Sequence, residues 1–324
     1  MQPLTRHPWQ EALALLMTVF SATHVIGHAV VPVMLLVGAG FALRRLLTVD
    51  LRPVSRVALY VFSPALGLSA LVQPRLSSHD IIGIVAFAAV MVAVSLLVSR
   101  AMGRALHAPR ADQSGLDLVT VFSNSANLGL PLVAFDLGKS SLHAAVIFVL
   151  TQIVAVNTIG AYVAGRSGVD PRAAVRRMVR LPSLWAMAIA LVAYILHVRL
   201  PASLLTAAHF GGQAYAPTVL VVLGATLADW RGGELKRPFP WVSAGIRLIL
   251  MPALAVMLVQ LLAVTPAMAR ALVLQNAMSV AVNAIILAQG CNAAADQVGQ
   301  AIALSTLGGV LTIPAWLLLM PRSH

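Results

Sequence analysis

The chain has 324 residues, of which 60% are hydrophobic and 10% charged, and a formal net charge of +12. A soluble domain carries about 25% charged residues, so a chain this apolar has too little polar surface to face water, and a soluble enzyme or binding module is excluded. The basic excess of twenty arginines and two lysines forms no run of the kind that binds nucleic acid, and the single cysteine, Cys291, excludes an internal disulfide framework and a multi-cysteine metal site.

Residues 1–23 read as an N-terminal extension. Arg6 and His7, the apolar stretch Ala12 to Phe20 and Ser21-Ala-Thr23 fit a signal peptide, an interfacial helix or an extension ahead of a start near Met17. Whether they belong to the mature chain stays open. Beyond them, windows of about 20 apolar residues, enough to cross about 30 Å of hydrocarbon, fall at 24–43, 54–72, 80–99, 118–137 and 142–164. Five more fall at 181–198, 204–228, 239–263, 266–289 and 297–320. Ten transmembrane helices are predicted.

Fifteen basic residues lie on one side of these spans: Arg44, Arg45, Arg52 and Arg56; Arg100, Arg104 and Arg110; Arg166, Arg172, Arg176, Arg177 and Arg180; Arg231, Lys236 and Arg237. The other side holds Arg6, Arg75, Lys139, Arg199, Arg270 and Arg322. By the positive-inside rule the richer side is cytoplasmic and both termini are extracytoplasmic. The basic loop 165–180 then divides a first five-helix repeat, 24–164, from a second, 181–324. An odd number of spans per half inverts the second repeat relative to the first. Pro32 and Pro182 match at an offset of 150 and Pro64 and Pro217 at 153. An offset of 152 aligns Asn124 with Asn276, whereas one helical turn more aligns Asn127 with Asn283, and the register is left open.

Two apolar stretches carry most of the membrane-depth amides: Phe122-Ser-Asn-Ser-Ala-Asn-Leu-Gly-Leu-Pro-Leu132 and Leu274-Gln-Asn-Ala-Met-Ser-Val-Ala-Val-Asn-Ala284. Unpartnered polar groups in hydrocarbon cost several kcal/mol, so such segments line a protein-enclosed cavity or a substrate path. Inverted repeats with interrupted helices at their interface are the recurring plan of secondary transporters.

Six segments in order are similar to the auxin efflux carrier family of permeases, which includes plant auxin exporters and bacterial carriers for malonate and malate. They are Val31 to Arg45, Phe62-Ser-Pro-Ala-Leu66, Asn124 to Leu132, Tyr215 to Leu227, Leu274 to Ala288 and Ser305 to Pro314. The resemblance covers about residues 28 to 320. It implies an all-α integral membrane protein of ten transmembrane helices in two inverted five-helix repeats, with helices four and nine broken and crossing near the midplane. The implied function is a secondary transporter for small organic anions, mono- or dicarboxylates, in the bacterial inner membrane, by alternating access around that crossing. Asn124 matches the family's crossing asparagine and Pro131 its following Gly-x-Pro. Ser279 stands where relatives carry a proline, so a milder second break is expected.

The substrate ligands expected on this basis are Asn124 and Asn276 first, then Ser125, Asn127, Gln275, Ser279 and Asn283. Gly129 and Pro131 are the helix-breaking pair. Gln152 and Asn157 on the fifth span and Ser305 and Thr306 on the tenth are read as interhelical hydrogen-bonding groups. Asp117, Asp80 and Asp136 are placed at span ends, and Asp136 and Asp80 are the candidates for proton coupling, with His24 and His28 as an interfacial pair. Arg247, inside the eighth span, is read as within snorkelling reach of the interface.

Gly-x-Ser-x-Gly, His-Glu-x-x-His and Walker patterns are missing from the sequence, so no catalytic residue, cofactor or metal is expected. The bilayer and a small organic anion are the expected partners, nucleic acid is not, and a homodimer is left open. Two alternatives remain: a sodium-coupled organic-anion symporter, and a non-transporting sensor that keeps the transporter fold.

Overall fold

The computed structural model describes residues 31–71, 77–166, 200–229, 235, 237–262, 264–282, 284–290 and 293–320, with 185, 189 and 192. The predicted sixth span apart from residues 185, 189 and 192, the basic loop at 167–180, the N-terminal extension with His24 and His28, and Asn283 lie outside these residues.

The described chain is helical apart from its connections and one isolated bridge. Helix α1 is Val31–Leu46, and α2 runs through Arg52–Val57, a π turn at Ala58–Phe62 and Ser63–Leu71. Helix α3 is Ser78–Ala105 and α4 is Arg110–Val121. After a break comes a π turn at Ser125–Gly129 that continues as α5, Leu130–Asp136. Helix α6 is Gly138–Arg166, α7 is Ala202–Asp229, and α8 is Pro238–Leu261 with a π turn at Ile246–Leu250. Helices α9, Pro266–Asn276, and α10, Ala284–Gly290, flank a second break, and α11 is Ala295–Leu319. Among the described residues, α7, α8, α11 and His79–Ala105 of α3 are each long and apolar enough to span a bilayer.

Each π turn ends two residues before a proline: Phe62 before Pro64, Gly129 before Pro131 and Leu250 before Pro252. Proline supplies no N–H to the carbonyl four residues back and its ring crowds that carbonyl, so a locally widened turn relieves the clash. In α8 the carbonyl concerned is that of Leu248, and it accepts a hydrogen bond from Trp316 Nε1 of α11 at 2.8 Å.

The helices pack as two bodies. In the first, α7 lies along α1 and against α2. Gly40 of α1 faces the Val221 carbonyl, and Gly224 of α7 faces the Val37 carbonyl, so closely that a Cβ at either glycine would collide with backbone. This is helix packing by small residues, suited to lipid, where no hydrophobic force separates helix from solvent. An ion pair of 2.6 Å from Arg44 to Asp229 ties the same two helices at their ends. In the second body, α3 packs on α4 and α6, α9 on α6 and α8, and α11 on α8, α4 and α10. The two bodies meet where α7 touches the π turn and α5, and where α2 touches α6.

Three expectations change here. The fourth span was placed at 118–137, but α4 begins at Arg110, so Asp117 lies inside it and is wholly buried, held by Ser99 Oγ at 2.6 Å and Gln113 Nε2 at 2.9 Å. Asp80 is half of a capping box: its carboxylate accepts from the Ser77 N–H while Ser77 Oγ accepts from the Asp80 N–H, both at 3.1 Å. Asp80 is thus engaged in the N-terminal capping of α3, whose N-cap is Ser77. Arg247 does not snorkel; it is 1% exposed.

Candidate substrate site at a helix crossing

Both amide-rich stretches leave helical geometry, and they cross each other. The chain is non-helical at Phe122–Asn124 and again between Asn276 and Ala284. Ser123 and Val280 form an antiparallel bridge. In it the Asn124 N–H donates to the Ser279 carbonyl and the Ala281 N–H to the Phe122 carbonyl, each at 2.8 Å. Buried main-chain groups must find partners, and a strand-like exchange supplies them where neither helix continues. Phe122 and Val280 anchor the crossing in a core shared with Leu116, Phe239, Ala288 and Val298.

Side chains of α11 and α8 complete the arrangement. Ser305 Oγ accepts from the Val280 N–H at 3.1 Å and itself donates to Ile302 O. Thr306 Oγ1 reaches Ser279 Oγ at 3.4 Å and Ile302 O at 2.7 Å. Arg247, on the π turn of α8, donates Nη1 to Thr120 O at 2.9 Å and Nη2 to Asn276 O at 3.1 Å and Met278 O at 3.3 Å. Thr120 lies in the last turn of α4, and Asn276 is the last residue of α9. A helix end carries about half a charge, so the guanidinium compensates the negative ends of α4 and α9 together.

The opposite ends are left open. The first intrahelical bonds after the first break run from the Leu128 and Gly129 N–H groups to Asn124 O, so the N–H groups of Ser125, Ala126 and Asn127 precede them, as at any helix start. Asn124 is 2% exposed and its Nδ2 has no partner among the described residues. Gln275 is fully buried, neither of its amide atoms is partnered, and its Oε1 packs against Gly129, where a Cβ would collide with it. Here glycine is required by close approach.

The other expected ligands fall differently. Asn276 turns its Nδ2 back onto Leu272 O at 2.9 Å, and it precedes its break while Asn124 is the last residue of its own. The bridge pairs positions 157 apart, one more than the offset that aligns Asn127 with Asn283. Ser125 is buried, with Oγ at 3.5 Å from Ser123 O, and Ser279 is buried beneath Thr306. Asn127 lies in the π turn and Asp136 at the end of α5; their side chains, like that of Asn157, are outside the described set. Gln152 is buried on α6 with Oε1 unpartnered. Gly129 and Pro131 lie beyond the break, in the π turn and the first turn of α5. The second break is not milder: without a proline, its described residues run from 277 to 282, against three residues in the first.

A cavity of about 520 Å³ lies between the two bodies, lined by Val37 and Arg45 of α1, Leu223 of α7, Leu128 of the π turn, and Thr306 and Ile313 of α11. Its walls are apolar apart from Thr306 and Arg45, whose guanidinium lies 6.0 Å from the Phe41 ring centre. The crossing amides do not line it, though Thr306 in its wall reaches Ser279 Oγ of the second break. Sequence reasoning assigned Arg45 to orientation and Thr306 to helix packing. It singles out Arg247 as a basic residue inside a span but not its partners, which are all main-chain atoms far away in sequence.

Comparison with known proteins points to membrane transport. A protein described as an uncharacterized transporter from Methanothermobacter thermautotrophicus is 24% identical over 293 residues, 89% of this chain and 96% of that one. The family profile described as membrane transport protein matches residues 17–169 and 171–317, which bears out the resemblance to auxin efflux carriers drawn from the motifs. The chain belongs to this membrane transport protein family, and is a multi-pass membrane transporter rather than an enzyme.

Proposed function

We propose that the chain is a secondary transporter for small organic anions, mono- or dicarboxylates, which bind at the crossing of the two broken helices. The observation that carries this reading is the division of charge there. Arg247 takes the carbonyl ends of α4 and α9, while the N-terminal end at Ser125, with the unpartnered amides of Asn124 and Gln275 beside it, is left to an anion. A half-helix N-terminus in low dielectric suits a carboxylate. The apolar cavity between the bodies, with Arg45 in its lining, is a fitting approach for a molecule with one charged end and an apolar remainder.

The proposed architecture is the ten-helix inverted repeat, supported by helices at every predicted span that falls on described residues. The proposed motion carries the crossing and α3, α6, α8 and α11 against a scaffold of α1, α2 and α7. The membrane is the bacterial inner membrane, with both termini extracytoplasmic. In a Cys291→Ser chain, a cysteine placed at Arg172 is expected to resist an impermeant maleimide in intact cells and to react after lysis. Labelling of intact cells would reverse the orientation.

Thermal-shift titration of the purified chain with small mono- and dicarboxylates tests the site, because a ligand of the native state raises apparent stability. Asn124→Ala is expected to weaken the acid that binds by about 1 to 3 kcal/mol, the scale of a lost buried hydrogen-bonding partner, in a protein that still folds. Unchanged affinity would remove the crossing from the binding site. Flux of that acid into proteoliposomes separates transport from sensing. Binding without flux would favour a non-transporting sensor.

A further inference from the structure

The guanidinium of Arg247 sits where a metal cation would be expected. Its three hydrogen bonds go to main-chain carbonyls, Thr120, Asn276 and Met278, contributed by both broken helices. It is 1% exposed, and its helix reaches the crossing through the π turn set by Pro252. Unwound carbonyls and half-helix C-termini at such an interface are the ligand set that coordinates a coupling sodium in transporters with interrupted helices, since carbonyl dipoles replace the ion's hydration shell. Here the oxygens are converged, and the positive charge among them is covalently attached.

We propose that Arg247 is a resident cation that stands in place of a dissociable sodium ion at the crossing, so that binding of the organic anion is independent of sodium. The second half of this statement rests on the transport reading above; the first does not. The physical consequence concerns coupling. A dissociable ion arrives and leaves with substrate, so its gradient drives the cycle. A side chain keeps the carbonyl ends compensated whether substrate is present or not, and supplies no gradient. The anion's charge then crosses without a sodium partner, and its distribution follows the membrane potential, worth about 2.3 kcal/mol per elementary charge per 100 mV.

The test compares thermal unfolding of the purified full chain in sodium chloride and in choline chloride at equal ionic strength, so that screening is constant. The wild type is expected to melt at the same temperature in both. A saturable upward shift with sodium would overturn the proposal. Arg247→Ala is expected to melt lower and to recover part of the loss, saturably, with millimolar guanidinium or sodium but not with choline. A folded Arg247→Ala chain that responds to none of these would also overturn it. Should the alanine chain not fold, Arg247→Lys and Arg247→Gln decide: recovery of folded lysine variant without the glutamine variant supports a charge requirement, and equal yields, high or low, refute it. Acid titrations in the two salts separate this inference from the functional one. Acid binding that requires sodium ends the inference and leaves the transporter; no acid binding in either salt ends the functional reading and leaves the cation arm standing.

Discussion

The two breaks at the crossing are held open by different means. The first is short, Phe122–Asn124, and is followed by a π turn and Pro131 within its own segment. The second covers residues 277–282 among those described, contains no proline, and depends on other helices: Ser305 on the Val280 N–H, Thr306 on Ser279, and Arg247 on the Asn276 and Met278 carbonyls. A helix can therefore be interrupted by residues that cannot continue it, or by partners that satisfy its backbone better than continuation would. In hydrocarbon the second route is available only inside a protein, because lipid offers nothing to an unpaired carbonyl.

Substitutions that remove one kind of support at a time sharpen this contrast. Arg247→Met is expected to have the largest effect, because it strands carbonyls on both sides of the crossing at about 1 to 3 kcal/mol for each buried acceptor. Apparent melting in detergent should fall steeply, and a fall no larger than that of a lipid-facing substitution such as Leu261→Ala would show that the carbonyls find other partners. Ser305→Ala acts on the second break alone. It leaves the Val280 N–H without its acceptor and is expected to lower stability by about 1 to 3 kcal/mol, with faster hydrogen exchange confined to the 277–284 segment. Equal exchange changes at 122–128 would mean that the two breaks act as a unit.

Pro131→Ala is expected to be smallest in stability, within about 1 kcal/mol. The new N–H can bond the Asn127 carbonyl, which favours ordinary helix over the π turn. Its consequence should be functional: acid binding near wild type, with slower flux in proteoliposomes. A loss of binding as large as that of Asn124→Ala would make the π turn part of the site itself.

Much of the fold was legible from composition and hydropathy, because bilayer thickness fixes span length and main-chain chemistry in lipid forces helix. The amide-rich segments Phe122–Leu132 and Leu274–Ala284 were legible too, since polarity at depth is costly and therefore informative. Less of the site was. Asn124 and Asn276 look equivalent in the sequence, yet one closes a break as the cap of the π turn and the other ends the helix before a break, and Asn276 spends its amide on Leu272 O. Gly129 and Pro131 were read as the break itself because both are poor helix formers. Proline only lacks one donor and crowds one carbonyl, and a wider turn absorbs both effects without leaving the helix.

The sequence by itself determined that this chain is helical, membrane-embedded, of the transporter family, and polar at two places half a chain apart. Periodicity, span length and local residue chemistry act within one segment, and a reader of the chain has access to all of them. Tertiary structure decided which polar groups are occupied and which are free. Arg247 reached the carbonyls of Thr120, 127 residues away, and of Asn276, 29 away, and Asp117 was buried against Ser99 rather than left at a span end. Those pairings depend on which helix faces which. That is a matter of close packing between distant segments, as where Gly115 of α4 lies against Phe239 of α8 and Val298 of α11, which no local pattern encodes.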